Sequence, residues 1–202
     1  IFHADDWNNI GRHLAFRDYM RTHKKERDEY AQIKKILAQN FPYDIDRYCE
    51  GKEDFVRRME EQALSQYDGT WDKLYIAARK VQYERKSSHL LEVGSVSVAL
   101  LTEKGDICVG VCMDATCSLR MCAERNAIAN MITNGENQIV KIVVVMSDGK
   151  IGMPCRTCQK FFMQLDKDAG KIEILCDYAT KKVIQLGKLF QDWQCTKVWE
   201  RG

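Results

Sequence analysis

The sequence predicts an α/β fold, a sheet with helices packed on its faces, preceded by a small all-helical segment. Three observations carry that prediction. Apolar residues recur at helical spacing among charged ones through the first 68 positions, the pattern then switches to helices alternating with β-branched runs, and turn signals separate those runs. A length of 202 residues allows one domain with an extension or two small ones. The expected division is 1–68 for the helical segment and 69–202 for the α/β part, with the boundary at Asp68-Gly69-Thr70, a turn followed by a helix-cap residue.

In the first segment, Leu14, Phe16, Tyr19 and Met20 fall in one helical run, and Tyr30, Ile33, Ile36 and Leu37 form a second stripe. Asn40 to Pro42 breaks it, and a third helix is expected over about 52–66, with Phe55, Met59 and Ala63 on one face. Beyond the boundary, Leu74, Ala77, Ala78 and Val81 predict a helix from Trp71 to about Arg85. Residues 96–101 and 106–111 read as strands joined in a hairpin by Glu103-Lys104-Gly105. A helix is expected to start near Cys122, a buried strand to span 141–146, a second helix to start near Cys155 and a further strand to span 171–176.

Composition excludes some functions. With 31 Lys+Arg against 29 Asp+Glu, interleaved along the chain, there is no basic stripe of the kind that binds a phosphate backbone, so nucleic acid is not an expected partner. No apolar run approaches the roughly 18–20 residues of a membrane span, and no membrane partner is expected. The first residue is Ile1, without an initiator Met or a basic-then-apolar leader, so no signal peptide is expected and the chain reads as open to being a fragment of a longer product. The 9 cysteines are an odd number, which argues against a closed disulfide framework and for a reducing cytoplasm in which some bind metal and others are small buried hydrophobes.

The chemistry concentrates in Cys122-Ala123-Glu124 and Pro154-Cys155-Arg156-Thr157-Cys158, each opening a predicted helix. Zinc takes thiolates in a tetrahedron, and three protein ligands with a fourth position left for water make a catalytic rather than a structural site. Helix starts favour thiolates through their positive dipole ends. Cys122, Cys155 and Cys158 are therefore the candidate ligands of a Zn2+ ion, and water activated there becomes a nucleophile near neutral pH. Glu124, two residues after its cysteine, is the candidate proton shuttle, the arrangement of the zinc nucleobase deaminases. Three thiolates leave the site at a formal charge of about −1, and Arg125 is the candidate to hydrogen-bond the sulfurs and offset that excess. Cys108, Cys112, Cys117, Cys176 and Cys195 are expected to be packing residues rather than ligands, and none of the four histidines is expected to bind metal.

On these motifs, and on the Cys122 to Ile128 run, the stretch from Trp71 to Gly202 resembles the small cytidine deaminase and blasticidin S deaminase family, and Val198-Trp199-Glu200 is similar to the tail of the latter. The resemblance implies a cytidine deaminase-like three-layer α/β/α sandwich with a mixed sheet, a homotetramer, and hydrolytic deamination of a cytosine-like nucleoside or nucleoside analogue in which the backbone of Ala123 helps to hold the ring. It also makes Val96, Cys112, Asp114 and Trp199 candidate substrate contacts. Two departures bear on the substrate. The family's Phe-Pro-Val-Gly-Ala-Ala is replaced by residues 94–99, Gly-Ser-Val-Ser-Val-Ala, and its Asn-x-Glu-Asn by Cys112-Met113-Asp114-Ala115, where Cys112 is a poor hydrogen-bonding substitute for Asn. A modified nucleoside or another aminopyrimidine is thus an expected substrate beside cytidine and deoxycytidine, and the alternative reading is a catalytically silent binding or assembly module. Residues 1–67, through His13 to Arg21, Tyr30 with Lys34, and Tyr48 with Lys52, resemble the C-terminal half of the GrpB family of the nucleotidyltransferase superfamily. That superfamily's catalytic carboxylates lie in its other half, so the resemblance implies no transferase site in this segment.

Overall fold

In the computed structural model, which describes residues 7–189, the chain up to Gly69 forms one unit and the chain from Thr70 another. The first unit is built by the helices α1 (Trp7–Thr22), α2 (Lys24–Asn40) and α3 (Ile45–Gln66). Pro42 follows the end of α2, as a residue lacking an N–H and fixing φ must. α3 begins earlier than the apolar pattern suggests, because the Asp44 side chain accepts the Arg47 N–H and caps it. Ala15, Tyr19 and Met20 of α1 bury against Phe55, Met59 and Ala63 of α3. α2 contributes no fully buried residue, but Tyr30 stacks on Phe55 at 5.4 Å between ring centroids.

The second unit is an α/β fold on a mixed sheet. It runs α4 (Thr70–Val81), β1 (Arg85–Ser88), β2 (Leu91–Thr102), β3 (Ile107–Ala115), β4 (Arg120–Met121), α5 (Ala123–Thr133), β5 (Ile139–Met146), β6 (Ile151–Gly152), α6 (Arg156–Phe162), β7 (Glu173–Asp177) and β8 (Lys182–Gln185). The strand order is β4-β3-β2-β5-β7-β8, with β1 added to β2 and β6 to β5. β5 and β7 are parallel, and the other pairs are antiparallel.

Alternate residues of the central strands feed two separate cores, so both faces of the sheet are covered and the strands read as nearly continuous apolar runs. Val98, Leu100, Ile142, Val144 and Ile174 pack with Ala127, Ile128 and Met131 of α5 and with Cys158 and Phe162 of α6. Ala99, Val143, Val145 and Leu175 pack on the opposite face with Trp71, Leu74 and Ala78 of α4. This gives three layers, α4, sheet, and α5 with α6.

The predicted helix to Arg85 stops at Val81, because residues 85–88 leave it to pair with the start of β2. β2 itself bulges: Val93 pairs with Met113 and Ser97 with Val111, so three residues of β2 stand opposite one of β3. Gly94, at φ 86°, supplies the left-handed backbone this needs. Among the described residues no helix is long and apolar enough to cross a membrane.

Candidate active site

Two helix starts build the site. Cys122 is the N-cap of α5 and Cys155 the N-cap of α6, both with extended backbone, and Cys158 lies in the first turn of α6, fully buried. The Sγ atoms of all three lie within 4.8 Å of one another, with Cys122 and Cys155 at 4.0 Å. Tetrahedral zinc–thiolate bonds of about 2.3 Å place sulfurs about 3.8 Å apart, so the three thiols fit one Zn2+ ion. Among the described residues no fourth Cys, His, Asp or Glu joins the group.

Electrostatics separate the two thiols of α6. Burial pushes the Cys158 thiol well above the ordinary cysteine range, and the nearby Glu124 carboxylate pushes it the same way. At Cys155 burial also acts upward, but the Cys158 N–H and the sulfurs of Cys158 and Cys122 outweigh it and hold this thiol below its usual value. Glu124, two residues after Cys122, is 4 % exposed in the first turn of α5, and its charge pushes both thiols of α6 upward.

Arg125 sits behind the cluster. Its Nη2 donates to the Arg120 carbonyl at 2.8 Å and to Cys122 Sγ at 3.8 Å, and the bond to this sulfur leads the causes that raise its pKa. Ala123 is buried at the helix start.

The candidate substrate contacts lie on β2 and β3. Cys112 Sγ fills the β2 bulge, where it accepts the Val96 N–H at 3.2 Å and lies 3.0 Å from Ser95 Oγ. Val96 packs on the same face as the cluster. Asp114 pairs with Arg120 at 2.8 Å and lines a cleft of about 260 Å³ with Glu84, Arg85, Lys86, Glu92, Val93 and Ser95. Trp199 and Cys195 lie outside the described residues. Cys108 is buried like Cys112, Cys176 half-buried, and Cys117 exposed rather than packed.

Four positions that motif reading passes over hold α5 and α6 in place. An added Cβ at Gly110 of β3 would lie 2.3 Å from Ala127 N and 2.5 Å from Ala123 O, so only glycine lets α5 lie this close to the sheet. Asn126 and Asn130 of α5 donate to the Val111 and Val109 carbonyls of β3 at 3.1 Å and 3.3 Å. Gln159 of α6 donates to the Pro154 carbonyl at 2.7 Å. A glycine inside an apolar strand run was the one available signal, since it marks close backbone approach.

Comparison with known proteins matches both parts of the chain. Residues 1–62 match the family model described as GrpB protein, and residues 70–173 the one described as cytidine and deoxycytidylate deaminase zinc-binding region. In the first part the chain is 46% identical over 54 residues to the UPF0157 protein YqkA of Bacillus subtilis, covering 27% of this chain and 16% of that protein. It is 39% identical over 54 residues to a UPF0157 protein of Pseudomonas aeruginosa, covering 27% and 22%. The chain thus spans under a third of the length of these curated relatives. Its fold is similar to the crystal structure of cytidine deaminase from Mycobacterium leprae, with a TM-score of 0.51 and 23% identity over 62% of this chain and 100% of that one. The cytidine deaminase from Mycobacterium tuberculosis gives 0.52 and 21% over 63% and 98%. These likenesses are of fold, whereas the zinc-binding-region match takes in more than half of the chain and contains all three clustered cysteines, so the protein belongs to the cytidine and deoxycytidylate deaminase family, with a GrpB-like segment ahead of that domain.

Proposed function

We propose that the protein is a zinc-dependent hydrolase that replaces the exocyclic amine of a cytosine-like aminopyrimidine nucleoside with oxygen and releases ammonia. Its substrate class is cytidine, deoxycytidine or a modified analogue such as blasticidin S. The observation that carries this reading is three thiols that fit one metal ion, joined by no fourth ligand among the described residues, with a buried carboxylate, Glu124, in the first turn of the helix that begins at Cys122.

Cys122, Cys155 and Cys158 would hold a Zn2+ ion, which would supply the Lewis acidity that activates water at neutral pH. Glu124 accepts the proton of that water on its carboxylate, delivers it to the ring nitrogen, and carries the second proton to the leaving amine. Arg125, bonded to Cys122 Sγ, offsets the excess negative charge of three thiolates. The buried start of α5 at Ala123 presents backbone groups to the ring, and Val96, Cys112 and Asp114 form the wall toward the sugar. Trp199 enters on the resemblance of the tail alone. The intact set of Cys122, Glu124, Cys155 and Cys158 favours catalysis over a silent binding module. A homotetramer belongs to the same reading, and a sedimentation mass of one chain would remove that part of it.

The test is ammonia release from zinc-loaded protein over cytidine, deoxycytidine, cytosine, blasticidin S and modified aminopyrimidine nucleosides. Glu124→Ala is expected to keep one zinc per chain and to lose turnover by roughly 10²–10⁴-fold, the usual size of a general acid–base contribution. Full activity in that variant would sink the mechanism, and silence of the zinc-loaded parent protein across the panel would mean either a substrate outside it or a binding module, which ligand screening would separate.

A further inference from the structure

We infer that Gln159 is a positioning residue for the metal turn: its side-chain amide, folded back over the first turn of α6, holds the Pro154 carbonyl and so sets where Cys155 and Cys158 present their sulfurs. The inference rests on the reading of the three thiols as a zinc site.

Cys155 is an exposed N-cap whose side chain makes no capping hydrogen bond. A helix start without a side-chain cap leaves the entry of the chain unfixed from outside. Gln159 fixes it from inside. Its Nε2 donates to the Pro154 carbonyl at 2.7 Å and its backbone N–H to the Cys155 carbonyl at 2.9 Å, so one residue ties two consecutive carbonyls on the approach to the first thiol. Pro154 is buried, which removes water as a partner for its carbonyl.

The other end of the amide argues against a packing role. Gln159 is 8 % exposed, and its Oε1 is buried without a hydrogen-bond partner among the described residues. An unpaired buried acceptor is unfavourable, and an apolar side chain of similar length would fill the same space without one. What the amide adds over such a side chain is its donor. That donor serves the turn between Pro154 and Cys158, whose sulfurs must converge with Cys122 from the neighbouring helix. Partners of this kind orient the residues that bind a metal, and their loss typically weakens binding by about 10–100-fold.

The experiment uses the full chain with Gln159→Met, which keeps length and loses the donor, and Gln159→Glu, which keeps shape and loses the donor. Zinc affinity is measured by chelator competition, the thiolate-to-metal and ligand-field bands are recorded on the Co2+-substituted protein, and thermal unfolding is followed with and without metal. Both variants are expected to bind zinc about 10–100-fold more weakly and to show altered Co2+ bands, with the zinc-loaded form losing more thermal stability than the metal-free form. Wild-type affinity and bands in either folded variant would overturn the inference. So would failure of both variants to fold, or an equal loss of stability in metal-free protein, since Gln159 would then serve the core. If the unsubstituted chain takes up no Co2+ or Zn2+, the zinc reading fails and this inference with it; if it binds and the variants match it, only the role of Gln159 fails.

Discussion

Gly110→Ala tests whether the placement of α5 on the sheet is what assembles the site. The added methyl would meet three backbone atoms of α5: Ala127 N at 2.3 Å, Ala123 O at 2.5 Å and the Asn126 carbonyl carbon at 2.9 Å. Ordinary contact needs about 3.5 Å, so the helix must retreat by about 1 Å. No flexible side chain can absorb this, because all three atoms are main chain. Retreat also stretches the bonds from Asn126 and Asn130 to the β3 carbonyls. Overpacking of this kind costs about 1–3 kcal/mol of stability. The larger effect is on the site, since α5 carries Glu124 and Arg125 and is capped by Cys122. A displacement of about 1 Å in a reacting group costs on the order of 10²-fold in rate. The assay pairs urea denaturation with ammonia release at saturating zinc, and Gly105→Ala is the control. Gly105 has a left-handed φ of 95°, so alanine there strains the backbone, but no atom of the described residues lies within 4 Å of its Cβ position. The control should lose stability and keep its turnover per folded molecule, while Gly110→Ala loses both. If Gly110→Ala keeps full turnover, the close approach of β3 to α5 does not set the catalytic geometry.

Other consequences are checked more simply. Arg125→Gln removes the donor to Cys122 Sγ and should lower zinc affinity or kcat by about 10–100-fold, read by chelator competition and steady-state kinetics, with the fold intact by circular dichroism. Ser97→Ala should stabilise the protein by about 1 kcal/mol in urea titration, because the Ser97 hydroxyl is buried on β2 with no partner among the described residues. Metal-free protein should lose stability as pH rises above 9: the folded Cys158 pKa is raised from 9.0, so the unfolded chain ionises first and gains. Cys158→Ser should flatten that slope in denaturation curves from pH 8 to 10, and zinc affinity of the parent should rise with pH because this thiol must release its proton on binding.

What sequence reading recovers here is what repeats locally. β2, β3, β5 and β7 are long enough to show β-branched runs, and α4, α5 and α6 follow cap or motif signals. β4 and β6 are two residues each and β1 and β8 four, too short for a period to emerge. The apolar stripe through Val81 predicts a helix running on to about Arg85, yet pairing of Arg85 with Val93 wins over helix continuation. That competition is tertiary and invisible in a local window. The metal cluster was legible because its residues occupy two short segments at helix starts, where spacing and chemistry coincide. Gly110 and Asn126 were not, since each acts on an element far along the chain, and Gln159 was not because a polar residue in a helix gives no sign that its amide turns back on the preceding loop.

The two walls of the site are built with different strengths. Beside the metal cluster every critical group is tied to main chain: α5 lies on Gly110, its Asn126 and Asn130 hold β3, and Gln159 holds Pro154. On β3, the side chains that stand where the family carries Asn-x-Glu-Asn are already engaged within the chain. Cys112 Sγ takes the Val96 N–H and faces Ser95 Oγ, and Asp114 holds Arg120. A thiol so occupied has little acceptor capacity left for a hydroxyl. The Arg120 pair is solvent-exposed on its cationic side, where ion pairs are worth little and exchange readily. On the proposed reading, reaction type is set by rigid main-chain geometry and recognition of the remote part of the substrate by a few adaptable side chains. That reading expects substitutions on β2 and β3 to change the substrate while the proposed chemistry at Cys122, Glu124, Cys155 and Cys158 stays as it is.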